Sequence, residues 1–329
     1  MGTAATLSGT GSAHAKIVLL GEHAAIYGAP AIAAPLPVLT VIAHAQRADV
    51  SAQTIEPHDM GGDLHCSRDG FKSAGPEYVN DPGLRAAIEA ALRRLGQESN
   101  GVAVHFTSSI PLGRGLGASA ARSCAALRAV ADAFGQDLDE PTLFDLIQLS
   151  ELYAHGRASG VDARAVMAST PLWFEGGADR PITIGADFEL VVADSGIVGS
   201  TREAVALVRD KFEREPRSTG RLLAHIESLT RSALADISAG DVDSLGEKLT
   251  SCHEVLNKMG VGLPVLDGLV AAALDAGAAG AKLTGGGLGG SVVAITADAR
   301  VLELERALLG AGAIRTWRTT VKAGGDEDR

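Results

Sequence analysis

The chain has 329 residues, of which 46% are hydrophobic and 21% charged, and its formal net charge at pH 7 is −11. This composition is typical of a globular protein with a hydrophobic core and excludes a disordered chain. The acidic excess argues against nucleic acid and against an anionic membrane surface as partners. Three widely spaced cysteines without a CxxC pair indicate a reducing compartment, and we expect the cytoplasm.

The N-terminal part of the chain predicts two strands and a helix. After a loose N-terminus, residues 16–20 form an apolar run that predicts a strand opened by Lys16. A lysine in a buried strand needs a carboxylate or a bound anion as its partner, and the alternative is a strand-edge lysine whose amine reaches water. A second strand is predicted at 38–45, hairpins and a mobile flap at 46–82, and a helix at 83–95.

A glycine-rich stretch at 111–121 lies between a predicted strand at 101–110 and a predicted helix at 119–134. Its three alternating glycines permit positive φ and carry no Cβ, so successive N–H groups can point at one anion. The helix N-terminus adds a partial positive charge and free N–H donors. The stretch lacks the Walker A and GxGxxG spacings, so the residues alone leave open a phosphate loop and an ordinary glycine-rich turn.

The rest of the chain predicts further helices and strands, with a turn at 159–162 and a solvated tail at 322–329. A second glycine-rich loop at 285–290 formally fits GxGxxG, but the β-rich segment after it argues against a Rossmann dinucleotide site. A second wall of a phosphate pocket and a tight turn between strands both stay open. The predicted helices are 141–155, 201–213, 219–237, 242–259, 265–276 and 300–309, and the predicted strands are 172–176, 188–193, 279–284, 291–296 and one within 313–321.

Three motifs, taken in order, resemble the galactose/homoserine/mevalonate/phosphomevalonate (GHMP) kinase superfamily. They are residues 16–28, 111–121 and 282–290. The first motif is most similar to that of the mevalonate kinases, and so are Glu151 and residues 159–162. Residues 253–261 are similar to the segment that precedes the third motif in the family.

The resemblance implies an α/β (α+β) two-domain GHMP kinase fold. Residues 1–169 would resemble ribosomal protein S5 domain 2, residues 170–329 would be ferredoxin-like, and ATP and substrate would lie in the cleft between them. The implied reaction is ATP- and Mg²⁺-dependent phosphorylation of the 5-hydroxyl of mevalonate, a step of isoprenoid biosynthesis. Phosphomevalonate kinase, another small-alcohol kinase and a non-catalytic nucleotide-binding regulator are the alternatives, and the resemblance leaves open whether the protein is a homodimer.

The resemblance also assigns catalytic and substrate-binding positions. Asp162 matches the catalytic base, and Lys16 matches the residue beside it near the reacting hydroxyl. Both residues, together with Glu22 and His23, match positions that bind the substrate. Taken without the resemblance, the sequence context of Asp162 favours a helix N-cap.

The magnesium and nucleotide positions follow from the same resemblance. Ser119 and Glu151 match the metal ligands, although the sequence without the resemblance favours a solvated residue on a helix face for Glu151. Ala118 and Leu288 depart from the family pattern in the two glycine loops. The implied nucleotide-binding loop comprises Pro111, Leu112, Gly113, Arg114, Gly115, Leu116, Gly117, Ala118 and Ser119.

Overall fold

The computed structural model describes residues 8–48, 63–67, 70–74, 81–97, 101–297 and 300–324. Most of the predicted flap at 46–82 and the end of the predicted tail lie outside these residues. Spatially, the chain forms two compact units, and neither is a single continuous segment. Unit 1 comprises residues 1–15, 39–110 and 119–158, and unit 2 comprises residues 16–38, 111–118 and 159–329. The domain boundary at 169/170 follows chain order, differs from this partition and stays a prediction.

Two long strands supply residues to both units, and the other strands of unit 1 extend an antiparallel sheet outward from the second half of one of them. The long strands are β1 (Ser8–Leu20) and β2 (Ala31–Ala48). In unit 1, β2 pairs with β5 (Gly101–Ser108), β5 with β3 (Asp63–Ser67), and β3 with β4 (Gly70–Ala74). The helices here are α1 (Pro82–Arg94), α2 (Ala118–Ala133) and α3 (Glu140–His155).

The strand β1 is longer than the sequence predicts, because it begins at Ser8 rather than at residue 16. Its first half contains Gly9 and Gly11, which are poor strand residues by propensity. A Cβ at Gly9 would overlap the backbone of α2 at Ala133, and one at Gly11 would overlap the backbone at Ala125. The glycines therefore let the helix pack directly on the strand backbone, and the sequence pattern gives no sign of this contact.

Unit 2 contains a small antiparallel hairpin and a separate four-stranded antiparallel sheet. In the hairpin, β6 (Leu172–Glu175) pairs with the first residues of β2 and with β7 (Ala178–Pro181). The four-stranded sheet has the order β11-β8-β10-β9. Its strands are β8 (Phe188–Asp194), β9 (Gly280–Thr284), β10 (Ser291–Thr296) and β11 (Arg315–Val321).

The helices of unit 2 agree closely with their sequence patterns, since caps and breakers mark their ends. The Asp241 side chain accepts the N–H of Ser244 at the start of α7, which ends at Gly260 in the left-handed region. A short 3-10 helix at Ala24–Tyr27 follows β1. The α-helices are α4 (Val161–Ala165), α5 (Thr201–Arg214), α6 (Pro216–Ala239), α7 (Val242–Met259), α8 (Pro264–Asp275) and α9 (Val301–Gly310).

Two cysteines lie in the hydrophobic cores as free thiols, Cys124 on α2 and Cys252 on α7. Burial raises the pKa of Cys124 to about 11 and that of Cys252 to about 12. Both side chains therefore stay protonated at neutral pH and are poor nucleophiles. Among the helices of the described chain, none combines the length and the hydropathy that crossing a bilayer requires.

Candidate active site

Lys16 lies within β1, and its side chain is only 2% exposed. Its Nζ atom lies 2.8 Å from Oδ1 of Asp162 and donates a 3.2 Å hydrogen bond to the carbonyl of Gly115. The backbone N–H of Lys16 donates to the carbonyl of Leu116 at 3.1 Å. The prediction of a carboxylate partner for this lysine is confirmed, and the alternative of an amine that reaches water is wrong.

Asp162 lies in the first turn of α4, and its side chain is 38% exposed. The N-cap of this helix is Gly160, with φ of 101°, and no side chain caps it. The capping alternative for Asp162 is therefore wrong. Its carboxylate contacts a buried ammonium and is itself accessible to a small molecule.

The loop at 111–117 directs its carbonyl groups into unit 2. Four successive carbonyls accept hydrogen bonds: Gly113 from the N–H of Gly199 at 2.8 Å, Arg114 from the hydroxyl of Ser291 at 3.0 Å, Gly115 from Lys16 Nζ, and Leu116 from Lys16 N–H. Within the described chain, the N–H groups of residues 112–117 donate no hydrogen bond. Such a row of free N–H donors, with the carbonyls turned away, is a backbone arrangement suited to an anion.

At two positions of this loop, neighbouring protein atoms leave no room for a side chain. Gly115 and Gly117 both have φ of 74°, in the left-handed region. A Cβ at Gly117 would lie 2.7 Å from Cγ of Lys16, and one at Gly115 would lie 2.5 Å from the carbonyl oxygen of Thr284. The sequence pattern attributes these glycines to the approach of an anion, whereas the structure shows that they admit Lys16 and β9.

Two further loops of unit 2 hold the loop at 111–117 in place. The Arg114 guanidinium forms an ion pair with Asp194 at 2.8 Å and donates to the carbonyl of Gly196 at 3.1 Å. The hydroxyl of Ser195, next to Asp194, donates to the carbonyl of Gly290 at 2.6 Å. Asp194 is not among the site residues predicted from the sequence. A carboxylate at the end of a buried strand is only a weak sign of a functional residue, and the sequence does not show that Arg114 lies beside it.

Glu22 forms a fully buried ion pair with Lys282 of β9. Lys282 also donates to the carbonyl of Leu283 at 2.6 Å. Burial raises the pKa of Glu22, and Lys282 opposes this shift. No role is predicted for Lys282 from the sequence, although a lysine in this buried strand needs a charged partner just as Lys16 does.

His23 has φ of 60°, an uncommon value for a residue other than glycine. Its Nε2 atom donates to the carbonyl of Gly286 at 2.9 Å, which leaves Nδ1 buried with no partner in the described chain. Burial lowers the pKa of His23, so the ring is neutral near pH 7. A neutral ring in this tautomer presents one acceptor to any ligand beside it.

The end of β9 is tied to β1 by one hydroxyl group. Thr284 Oγ1 accepts the N–H of Val18 at 3.1 Å and donates to the carbonyl of Val18 at 3.0 Å. Val18 is two residues after Lys16 in the same strand. The position of Lys16 therefore depends on β9 as well as on its own contacts.

The two residues that the resemblance assigns to magnesium lie on helices of unit 1. Glu151 is buried on α3, and Ser119 is in the first turn of α2. One turn further along α2, the hydroxyl of Ser123 donates to that of Ser150 at 2.8 Å, which brings the two helices together beside Glu151. Within the described residues no three His, Cys, Asp or Glu side chains cluster around a possible metal position.

Comparison with known proteins identifies the family. The model for the GHMP kinase N-terminal domain matches residues 83–169, and that for the GHMP kinase C-terminal domain matches residues 232–313. The mevalonate kinase of Pyrococcus horikoshii is 35% identical over 92% of each chain. That of Thermococcus onnurineus is 33% identical over 87% of this chain and 89% of its own.

Solved structures support the same relationship at the level of the fold. The mevalonate kinase of L. major in complex with R-mevalonate superimposes with a TM-score of 0.78 at 23% identity, over 99% of this chain and 100% of that one. The two-domain fold predicted from the three motifs is confirmed. On the sequence of both halves and on its fold, the chain belongs to the GHMP kinase family.

Proposed function

We propose that this chain is a mevalonate kinase, which transfers the γ-phosphoryl group of ATP to the 5-hydroxyl of mevalonate. One observation carries the proposal: the buried Lys16 ammonium contacts Asp162 and the carbonyl of Gly115 at the same time. A candidate base is thereby fixed beside a loop with free N–H donors. The mevalonate kinases that match most of this chain at 30–35% identity support the choice of substrate.

The chemistry requires a base beside a charge-stabilising group. A primary alcohol is a weak acid, so Asp162 accepts its proton as the oxygen bonds to the γ-phosphorus and the bond to the bridging oxygen of ADP breaks. The Lys16 ammonium has three N–H groups, of which two are used by Asp162 and Gly115. The third is available to a phosphoryl or substrate oxygen and stabilises its negative charge.

The loop at 111–117 is proposed to hold the phosphates of ATP. Its carbonyls are already bound within unit 2, so its N–H groups point at a ligand without rearrangement. The 16-residue helix α2 begins directly after the loop in the chain, and the first N–H groups of a helix have no partner within the helix itself. Recognition by backbone groups also explains how Ala118 can stand where the family has serine.

His23 and Glu22 are proposed to bind the substrate. The free acceptor at Nδ1 of the neutral His23 ring suits a hydroxyl donor of the substrate and does not suit its carboxylate. One oxygen of Glu22 is bound by Lys282, and the other is buried without a partner in the described chain. A substrate hydroxyl is again the group that fits.

Magnesium is proposed to bind Ser119 and Glu151. A hydroxyl and a carboxylate are the hard oxygen ligands that Mg²⁺ prefers, and this ion commonly completes its shell with water and substrate phosphate. When bound, the ion neutralises charge on the transferred phosphoryl group.

Three further properties stay predictions. They are a cytoplasmic location, which the two buried free thiols support, a homodimer, and the absence of nucleic acid and membrane partners.

An assay panel tests the proposed function. ATP turnover is measured with mevalonate, phosphomevalonate, galactose and homoserine, and we expect turnover with mevalonate to exceed all others. Preference for phosphomevalonate would favour that kinase instead. Failure to turn over ATP with any alcohol would favour a non-catalytic nucleotide-binding protein.

Asp162→Asn should lower kcat by about two to four orders of magnitude, because the amide cannot accept the hydroxyl proton. The matched control is Asp179→Asn, whose carboxylate pairs with Arg164 of the same helix α4 at 3.1 Å. The control should change kcat less than about threefold. Steady-state kinetics decide, and near-normal turnover in Asp162→Asn would remove this residue from the mechanism.

Gly117→Ala should lower kcat/KM for ATP by about a hundredfold, because the new methyl group displaces the Lys16 side chain. Gly135→Ala is the control, since Gly135 has a similar φ of 64° and no described atom would lie within 4 Å of its Cβ. Both variants place alanine at a left-handed φ, so the backbone contribution to the loss of thermal stability should be similar. If their kinetics also match, the contact with Lys16 has no functional importance.

Ser119→Ala should raise the magnesium concentration needed for half-maximal rate by about tenfold or more, since a metal ligand is lost. Ser123→Ala, one turn further along α2, removes the hydrogen bond to Ser150 and should lower stability alone. Magnesium titrations at saturating ATP compare the two. Equal midpoints would reassign Ser119 to a structural role at the helix start.

A further inference from the structure

The outer edge of β9 is closed by side chains of α7 rather than by another strand. Two N–H groups of β9 point away from β10: that of Ala281 donates to Thr250 Oγ1, and that of Leu283 donates to His253 Nδ1, both at 3.3 Å. Gly246 lies one turn before Thr250, and its backbone lies directly against Gly280. One face of α7 therefore binds the outward N–H groups of the strand that leads into the second glycine-rich loop at 285–290.

These contacts fix the protonation state of His253. A backbone N–H can only donate, so Nδ1 must be the unprotonated acceptor. The other nitrogen, Nε2, lies 3.0 Å from Oδ1 of Asp267 on α8 and must carry the proton that it donates. The side-chain amide of Asn257 donates to the same carboxylate oxygen at 2.7 Å. The same amide nitrogen lies 3.4 Å from Nε2 and donates to Asp267 rather than to the ring. The neutral Nε2–H tautomer satisfies Leu283 and Asp267 together.

The charged groups around the imidazole come from all three elements that pack against it. Burial lowers the pKa of His253, and Lys282 on β9 lowers it further, whereas Asp267 on α8 and Glu254 on α7 itself raise it. The net shift is downward, so the neutral form persists through neutral pH. At a pH below the ordinary pKa range of histidine, a proton would add to Nδ1 and would face the N–H of Leu283.

Leu283 lies between the two residues that connect β9 to the candidate active site. Lys282 is paired with Glu22, and Thr284 binds both backbone groups of Val18 in the strand of Lys16. The carbonyl oxygen of Thr284 also lies only 2.5 Å from the position that a Cβ at Gly115 would take. A shift of β9 at Leu283 therefore reaches Lys16 and the loop at 111–117 through direct contacts.

We infer that His253 is a positioning residue for ATP binding: its neutral ring holds β9 at Leu283, and protonation of Nδ1 releases that hold and displaces the loops that β9 supports. His253 does not touch the reacting groups and acts through Leu283 and its neighbours. Only the kinetic consequence of this role, a change in the KM for ATP, rests on the proposed function. The hydrogen bond and the tautomer can be tested without any substrate.

The kinetic test compares the KM for ATP in wild type and His253→Gln between about pH 5.5 and about pH 8.5. Glutamine can accept from Leu283 and donate to Asp267 but does not titrate, so its KM at about pH 8 should stay within about threefold of wild type. As pH falls below the ordinary histidine pKa, the wild-type KM should rise by about tenfold more than that of the variant. All other ionisable groups are common to both proteins, so this difference reports His253.

Thr250→Val is the matched control, because it removes the acceptor of the other outward N–H of β9 without changing a titratable group. It should lower thermal stability and keep the wild-type pH dependence of KM. If His253→Gln keeps the full wild-type rise in KM at low pH, the positioning role is overturned. The same holds if Thr250→Val abolishes that rise.

Nitrogen-15 NMR of wild-type protein supplies a readout that does not depend on turnover or on a folded variant. At about pH 8, His253 should show an unprotonated Nδ1 and a protonated Nε2, and the Leu283 amide should titrate with the same midpoint as the ring. A protonated Nδ1 at this pH, or a Leu283 amide insensitive to the ring, would overturn the inference. If the assay panel shows no kinase activity, these signals still decide the contact between His253 and β9.

Discussion

The structure of the candidate site depends on burying the ammonium of Lys16. An unpaired charge in a protein interior is strongly unfavourable, so its neighbours must supply both a counter-charge and hydrogen-bond acceptors. Asp162 and the carbonyl of Gly115 do so, and Gly117 leaves room for the aliphatic part of the side chain. The short helix α4, the loop at 111–117 and β1 are in this way positioned by one side chain.

A second buried lysine shows how the surroundings of an ion pair decide its use. Lys282 and Glu22 are both fully buried, which suits a fixed connection between β9 and the segment after β1. In the pair formed by Lys16, the carboxylate partner is more than one-third exposed. Only this second arrangement leaves a carboxylate accessible to a ligand while its cation stays in place. The two pairs therefore differ in whether their carboxylate is accessible to a ligand.

Much of this arrangement could be predicted from the sequence, because local signals mark it. The carboxylate partner of Lys16 follows from the cost of burying an amine, and the bounds of α7 agree with the pattern at 242–259. What could not be predicted depends on contacts between distant parts of the chain. The glycines of β1 and of the loop at 111–117 are explained by a helix backbone, by Lys16 and by Thr284. The strand β7 was missed because a proline and charged residues at an exposed edge resemble a loop.

The closure of β9 by α7 also bears on how the protein avoids self-association. A sheet edge with unpaired N–H and carbonyl groups can recruit a strand from another molecule and so begin aggregation. At β9, the side chains of Thr250 and His253 accept the hydrogen bonds of two N–H groups that such a strand would otherwise bind. At the opposite end of the sheet, β11 instead presents the exposed charged residues Arg315 and Arg318. Loss of the α7 contacts would leave these two N–H groups unpaired at a sheet edge, where a strand of another molecule could bind them.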